Sequence, residues 1–192
     1  MKEPIRVGFA LTGSFCTHER VLSVMESMQG EGFELTPILS FNAGQMDTRF
    51  GTAAALRERL YAICGKPPVD TIEAAEPIGP KKMFDVLVVA PCTGNTAAKL
   101  VSAITDTPVT MAVKSHLRSG RPVVIAVSTN DALSGSAANI GALLNRRHYY
   151  FVPMKQDAPQ AKPCSVVAEM EKLPETIEAA LSGHQLQPIL CG

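Results

Sequence analysis

Four short stretches of this chain carry the same kind of chemistry. The first, "TGSFCTHE", offers Gly13, Ser14 and Thr17, and the second, "SFNAGQ", offers Ser40 and Asn42. The third, "PCTGNT", sets Thr93, Asn95 and Thr96 behind Pro91, and the fourth, "STNDALSGS", offers Ser128, Thr129, Asn130 and Ser134. All are small hydroxyl or amide residues placed where a helical pattern begins. A helix N-terminus presents unpaired backbone N–H groups and a partial positive charge, so it can hold an anion without Lys or Arg. Any one of these residues alone reads as an ordinary N-cap. Four such loops together point to a phosphate-bearing ligand.

Absent motifs narrow the ligand. No GxGxxG follows the first apolar run, where "GFALTGSF" holds only Gly8 and Gly13, so the dinucleotide fingerprint is missing. No GxxxxGK[ST] is present for ATP or GTP hydrolysis, and no GxSxG for a hydrolase elbow. A mononucleotide-like cofactor with one phosphate, such as FMN, fits what remains.

Candidate reactive side chains are fewer. His18 stands in the first turn after the first loop and could be a general acid or base, against the simpler reading of a surface helix residue. Cys16 and Cys92 lie near helix N-termini, where a thiolate is stabilised, although buried inert thiols are the plainer account of both. His116 reads as a packing residue, and Arg146 and Arg147 as compensation of a helix C-terminus. Lys155, Asp157 and Lys162 belong either to a solvated loop or to a lid over the site.

The elements that must position these loops follow from the apolar pattern. Runs at 5–11, 33–40, 85–91, 121–128 and 149–154 read as strands, most of them apolar throughout. Helical patterns fill 17–32, 52–64, 93–104, 108–120 and 134–147. A short strand is expected near 71–74, and Pro37 weakens the centre of the second strand. After a polar loop at 155–163, a C-terminal helix over 165–183 is expected to kink or divide at Pro174. Alternating strands and helices predict a single α/β domain over 1–192. Its fold is a three-layer, doubly wound, Rossmann-like sandwich on a parallel sheet of five or six strands. Its ligand loops lie beyond the carboxyl ends of the strands.

Composition sets outer limits. Lys plus Arg equals Asp plus Glu at 18 each, so no charge footprint points to nucleic acid or an anionic membrane. The first apolar run is too short for a signal peptide or a bilayer span. The five cysteines are scattered without a CxxC, which indicates neither disulfides nor a metal site, and a cytoplasmic setting is expected.

The stretches "GFALTGSF", "APCTGNTAAKLVSAITDTPVTMAVK", "RPVVIAVSTN" and "NIGALLNRRHYYFVP" resemble the homo-oligomeric flavin-containing cysteine decarboxylases and their relatives. The family's Pro-Ala-Ser-Ala-Asn-Thr is matched at Pro91, Asn95 and Thr96, and departed from at Cys92, Thr93 and Gly94. Its later Pro-x-Met-Asn survives only as Asn130, which argues against decarboxylation by this chain. The resemblance implies FMN held by Gly13, Ser14, Ser40, Pro91, Thr93, Asn95, Thr96, Ser128, Thr129 and Asn130, with Ser40 on the phosphate. His18, Cys92 and Asn130 are its only catalytic candidates.

The segments "GFALTGSFCTHE", "DTPVTMAVKSHLR" and "KPCSVVAEMEKLPETIEAALSGHQLQPIL" are similar to family members that act as one subunit of an oxidoreductase. That likeness implies NADP on a partner subunit, a trimer-based homo-oligomer and a small dicarboxylate substrate. Arg49, Lys99, Lys114 and Lys155 would be its candidate cationic partners. A non-catalytic assembly subunit that keeps the phosphate-binding edge, or a stand-alone decarboxylase, are the alternatives.

Overall fold

The computed structural model describes residues 3–192. Its elements run β1 (Ile5–Leu11), α1 (His18–Gly30), β2 (Phe33–Leu39), α2 (Phe41–Gln45), α3 (Ala53–Cys64) and α4 (Ile72–Ala75). Then come β3 (Val86–Cys92), α5 (Gly94–Val101), α6 (Pro108–Leu117), β4 (Val123–Thr129) and α7 (Ala137–Leu144). Three short strands, β5 (Tyr149–Phe151), β6 (Met154–Gln156) and β7 (Val166–Ala168), precede α8 (Leu173–Leu181).

The five strands β2, β1, β3, β4 and β5 are parallel neighbours in that order. β5 covers only the first half of β4, pairing Val123 with Tyr149 and Ile125 with Phe151. Beyond it β7 takes over antiparallel, with Ser128 opposite Val167 and Thr129 opposite Val166, and β6 pairs with β7. The carboxyl end of β4 is therefore flanked by a C-terminal hairpin.

Alternate residues of the apolar strands supply two cores, one on each face of the sheet. Val7, Phe9 and Leu11 of β1 pack with Met25 of α1, Leu60 of α3 and Ile177 of α8. Ala10 and the alternate residues Leu87 and Val89 of β3 pack with Leu100 of α5, Val113 of α6 and Leu143 of α7. Each such side chain removed from water contributes about 1.5–3 kcal/mol, which offsets the entropy of fixing the chain. The architecture is the three-layer α/β sandwich expected from the pattern. No described helix is long and apolar enough to cross a membrane.

Three expectations are corrected. Residues 71–74 form no strand; Thr71 instead caps α4, its hydroxyl accepting from the Ala74 N–H at 3.1 Å. The strand expected over 149–154 breaks at Pro153 into β5 and β6. The helix expected over 165–183 starts only at Leu173, because Val166–Ala168 is strand. Pro174 lies in the first turn of α8, where its missing N–H removes no hydrogen bond, so it starts the helix and does not kink it. Pro37 is tolerated within β2 because that strand is an edge, met on its outer side only by the bridge to Val69.

Candidate functional site

Strand order reverses between β1 and β3, since the chain passes from β1 to β2 on one side and returns to β1's other side. A crevice opens at such a switch point, beyond the carboxyl ends of the strands. Here Thr12 stitches its two walls together. The buried Thr12 hydroxyl donates to the Pro91 carbonyl at 2.7 Å and accepts from the Thr93 N–H at 3.2 Å. Ser14 reaches on to the fourth loop, its hydroxyl donating to the Ser128 carbonyl at 2.5 Å.

Two of the helix starts behind the four loops, those of α2 and α5, are capped as their sequences suggest, whereas α1 and α7 have no side-chain cap. Ser40 Oγ accepts from the Ala43 N–H at 3.2 Å, and Thr93 Oγ1 accepts from the Thr96 N–H at 3.2 Å. Ser40 keeps its own O–H as a donor, while the Thr93 and Thr96 hydroxyls share one hydrogen bond at 3.0 Å and so offer one O–H between them. The first N–H groups of α5, at Gly94 and Asn95, have no partner within the helix.

Two adjoining cavities result, with Thr93 and Asn95 lining both. One, of about 320 Å³, is bounded by Thr12, Gly13, Ser40, Thr96 and Lys99. The other, of about 380 Å³, is bounded by Ser14, Ser128, Thr129, Asn130 and the hairpin residues Ser165, Val166 and Val167. Of the ten expected cofactor residues only Pro91 lies outside both; it is buried at the end of β3 and contributes the carbonyl that holds Thr12.

Among the described residues, both cations lining this crevice are paired, and its one unpaired carboxylate, Asp131, is held by hydroxyls. Lys99 Nζ lies 2.8 Å from Asp106 Oδ1, and that bond holds the Asp106 carboxyl below its usual range. Asp131 accepts from Thr129 Oγ1 at 2.6 Å and from Ser136 Oγ at 3.0 Å, and the Thr129 bond lowers its pKa first. Gly94 is required beneath this group: a Cβ there would collide with Ser136 Oγ and stand 2.8 Å from Asp131 Oδ1. The space above Gly94 is thus filled by protein. Asp157 is bonded to Ser165 Oγ and pairs with Lys162 at 3.0 Å; these two of the three expected lid residues line the second cavity, and Lys155 does not.

The remaining candidates sit elsewhere. His18 is buried, its Nε2–H donating to the Thr12 carbonyl at 2.7 Å, and burial lowers its pKa. It borders a separate cavity of about 180 Å³ with Phe15, Leu22 and Leu56. Cys92 is buried in the core under α5, and burial pushes its thiol up to about 12, so it is a neutral thiol at pH 7. Cys16 is exposed between two cavities. Arg49 lies 4.8 Å over the Phe50 ring, Lys155 pairs with Glu169 at 2.5 Å, and Lys114 borders another cleft. Lys99 is the one candidate cation that reaches the crevice.

The flavoprotein family's sequence profile matches residues 1–175. The chain belongs to the flavoprotein family. It is 46% identical over 185 residues to the B subunit of dipicolinate synthase from Bacillus subtilis (strain 168), covering 96% of this chain and 92% of that protein. The crystal structure of the dipicolinate synthase B subunit from Bacillus halodurans superposes with a TM-score of 0.90 at 46% identity, covering 99% of this chain and 97% of the other. The FMN-dependent cysteine decarboxylase SpaF shares the fold, with a TM-score of 0.65 at 20% identity over 95% of this chain and 97% of its own.

Several crevice residues of this flavoprotein are not evident from its sequence. Thr12 hides at the end of an apolar strand, and its role shows only when β3 is beside it. Asp106 and Thr107 lie across a turn from α5; the signal for them is the Thr-Pro pair that opens α6, where Thr107 and Thr110 cap each other. Ser165, Val166 and Val167 arrive from 35 or more residues downstream of the β4 loop, on the hairpin concealed in the expected C-terminal helix.

Proposed function

We propose that this chain binds FMN in the crevice and serves as the B subunit of a dipicolinate synthase. Its partner A subunit would carry NADP, and the two together would oxidise a dihydrodipicolinate-level ring to dipicolinate. The reaction removes two electrons and two protons from the ring, and NADP⁺ on the partner takes a hydride. The carrying observation is the pair of adjoining cavities that share Thr93 and Asn95 at the switch point. The similarity to a dipicolinate synthase chain over nearly the whole length supports the choice of reaction.

The residues present fit an FMN. The first cavity combines the Ser40 and Thr96 hydroxyls, the α5 N-terminus, the Lys99 ammonium with its partner Asp106, and the open backbone of Gly13, where a Cβ would meet nothing nearer than 3.9 Å. That donor set suits a phosphate monoester. The second cavity offers the Asn95 and Asn130 amides and the Val166 and Val167 side chains, which suits a flat ring with polar edges. Ser14, Ser128 and Thr129 would stand along its rim. A bound flavin would supply a two-electron carrier between the ring and the partner's NADP⁺, which remains the terminal acceptor. Dicarboxylate orientation then falls to the Asn130 amide and to Lys162, the cation lining the second cavity, which would have to exchange its pairing with Asp157 for the substrate.

Homo-oligomers built on trimers, in the cytoplasm of a sporulating mother cell, complete this reading. Purified chain should show flavin absorbance bands or acquire them with added FMN. With the A subunit and precursor it should support NADPH formation. Colourless protein that takes up no FMN overturns the cofactor, and absence of NADPH in the assembled complex overturns the reaction.

A second reading, a non-catalytic subunit that assembles or activates its partner, is favoured by one observation. Neither His18 nor Cys92 presents a reactive atom to the crevice. Under that reading, Asn95→Ala with Thr96→Ala leaves the activity of the assembled complex unchanged.

A further inference from the structure

Outside the crevice, α5, α6 and the turn after α7 enclose a second cleft, of about 530 Å³. Its lining includes five cations and no carboxylate. Two of the five are already engaged: Lys99 pairs with Asp106, and Arg146 donates to the Leu100 and Val101 carbonyls at 3.0 and 2.7 Å. Lys114, Arg118 and Arg147 make no ion pair among the described residues, although the whole chain is balanced at 18 positive and 18 negative side chains. Like charges gathered around one hollow repel each other until a counter-charge enters. The floor between them is apolar, formed by Leu100, Val113, Leu117 and the 45% exposed Ile104, with the half-buried Tyr149 ring at one end.

We propose that this cleft is a binding site for a small planar polyanion, a ring whose face lies on Ile104, Leu117 and Tyr149 while its carboxylates meet Lys114, Arg118 and Arg147. The floor excludes a fully hydrated ion such as free phosphate as the preferred ligand, because an inorganic anion would gain nothing from covering it. The rim favours an anion over a neutral ring, because the exposed Lys114, Arg118 and Arg147 gain a counter-charge only from the former. The volume lies within the range of about 300–1,000 Å³ usual for small-molecule sites. Lys99 lines both this cleft and the cavity at the switch point, so an anion here lies one ion pair away from the proposed phosphate end.

Only the choice of probe, pyridine-2,6-dicarboxylate, rests on the function proposed above; the demand for an apolar ring with two negative groups does not. The test titrates this probe into the full chain and follows the methyl resonances of Ile104 and Leu117. Both should shift, the corresponding diamide should shift neither, and K114Q/R118Q/R147Q should weaken binding about tenfold or more. Shifts confined to the loops of Thr93 and Ser128 would overturn the proposal, as would equal affinity in the triple variant. So would Ile104 and Leu117 methyls already covered by a second copy, with the triple variant sedimenting as a smaller species. The readout is binding at these methyls and not turnover, so a chain that fails to bind flavin or to make NADPH can still pass or fail this test.

Discussion

Thr12 and Thr93 form the hinge-pin of the crevice: the N–H of Thr93 donates to Thr12 Oγ1 at 3.2 Å while that hydroxyl donates onward to the Pro91 carbonyl at 2.7 Å. A side chain at the end of β1 thereby fixes where α5 begins. Thr12→Val keeps the shape but leaves a buried N–H and a buried carbonyl without partners. That should cost about 1–3 kcal/mol, read as a lower urea midpoint with unchanged slope. FMN affinity should fall with it, and Thr12→Ser should retain most of both.

The second relationship joins Gly94 to Ser136. A Cβ at 94 would displace the Ser136 hydroxyl from its two 3.0 Å bonds to Asp131. Gly94→Ala should therefore destabilise the fold by about 1–3 kcal/mol through overpacking. Ser136→Gly alone should also destabilise it. The double variant should recover part of the loss, with a coupling of about 0.5 kcal/mol or more in a double-mutant cycle. Strict additivity would show that the two positions do not compete for the same space.

Much of this geometry is legible in the chain, for a physical reason. Strands buried on both faces are apolar at every position, so β1, β3 and β4 stand out, and the polar loops that follow them must lie on one edge. Gly13, Ser40, Thr93, Asn95 and Ser128 are found by that logic. The hairpin is not. β6 and β7 have three residues each, too few for alternation to register, and Val166–Ala168 runs directly into residues with strong helical preference. What makes β7 a strand is the open edge of Ser128 and Thr129, more than 35 residues away. Likewise nothing local says that His18 turns its Nε2–H to Thr12 and away from the crevice.

Cysteine chemistry separates the two thiols that lie near helix starts. Cys92 is 1% exposed with its thiol pushed up to about 12 by burial, whereas Cys16 is exposed. The thiolate is the reactive form. In native protein at pH 8, Cys16 should alkylate readily and Cys92 should remain unmodified until the chain is unfolded. Peptide mapping by mass spectrometry reads both. Cys92→Ala should retain FMN binding, since the side chain faces the core and not the cavities, and modification of native Cys92 at a rate like that of Cys16 would contradict the burial.

The pH dependence of stability should be governed in part by His116. Its ring is 1% exposed, so burial favours the neutral form, and the Nε2–H donated to the Pro122 carbonyl at 3.1 Å opposes that only in part. Burial lowers its pKa from 6.5 to about 4. Between those values the unfolded chain binds a proton that the folded chain does not, so unfolding is favoured by acid. The contribution is complete above about pH 6.5, declines as pH falls through the window and is exhausted near pH 4, amounting to about 3 kcal/mol. His18, also lowered by burial, adds to the same slope. His116→Gln keeps a donor within reach of Pro122 but does not titrate. Urea unfolding at pH 7 and pH 5 should therefore show a smaller stability difference in the variant, and an unchanged difference would mean that His116 is protonated in the native state.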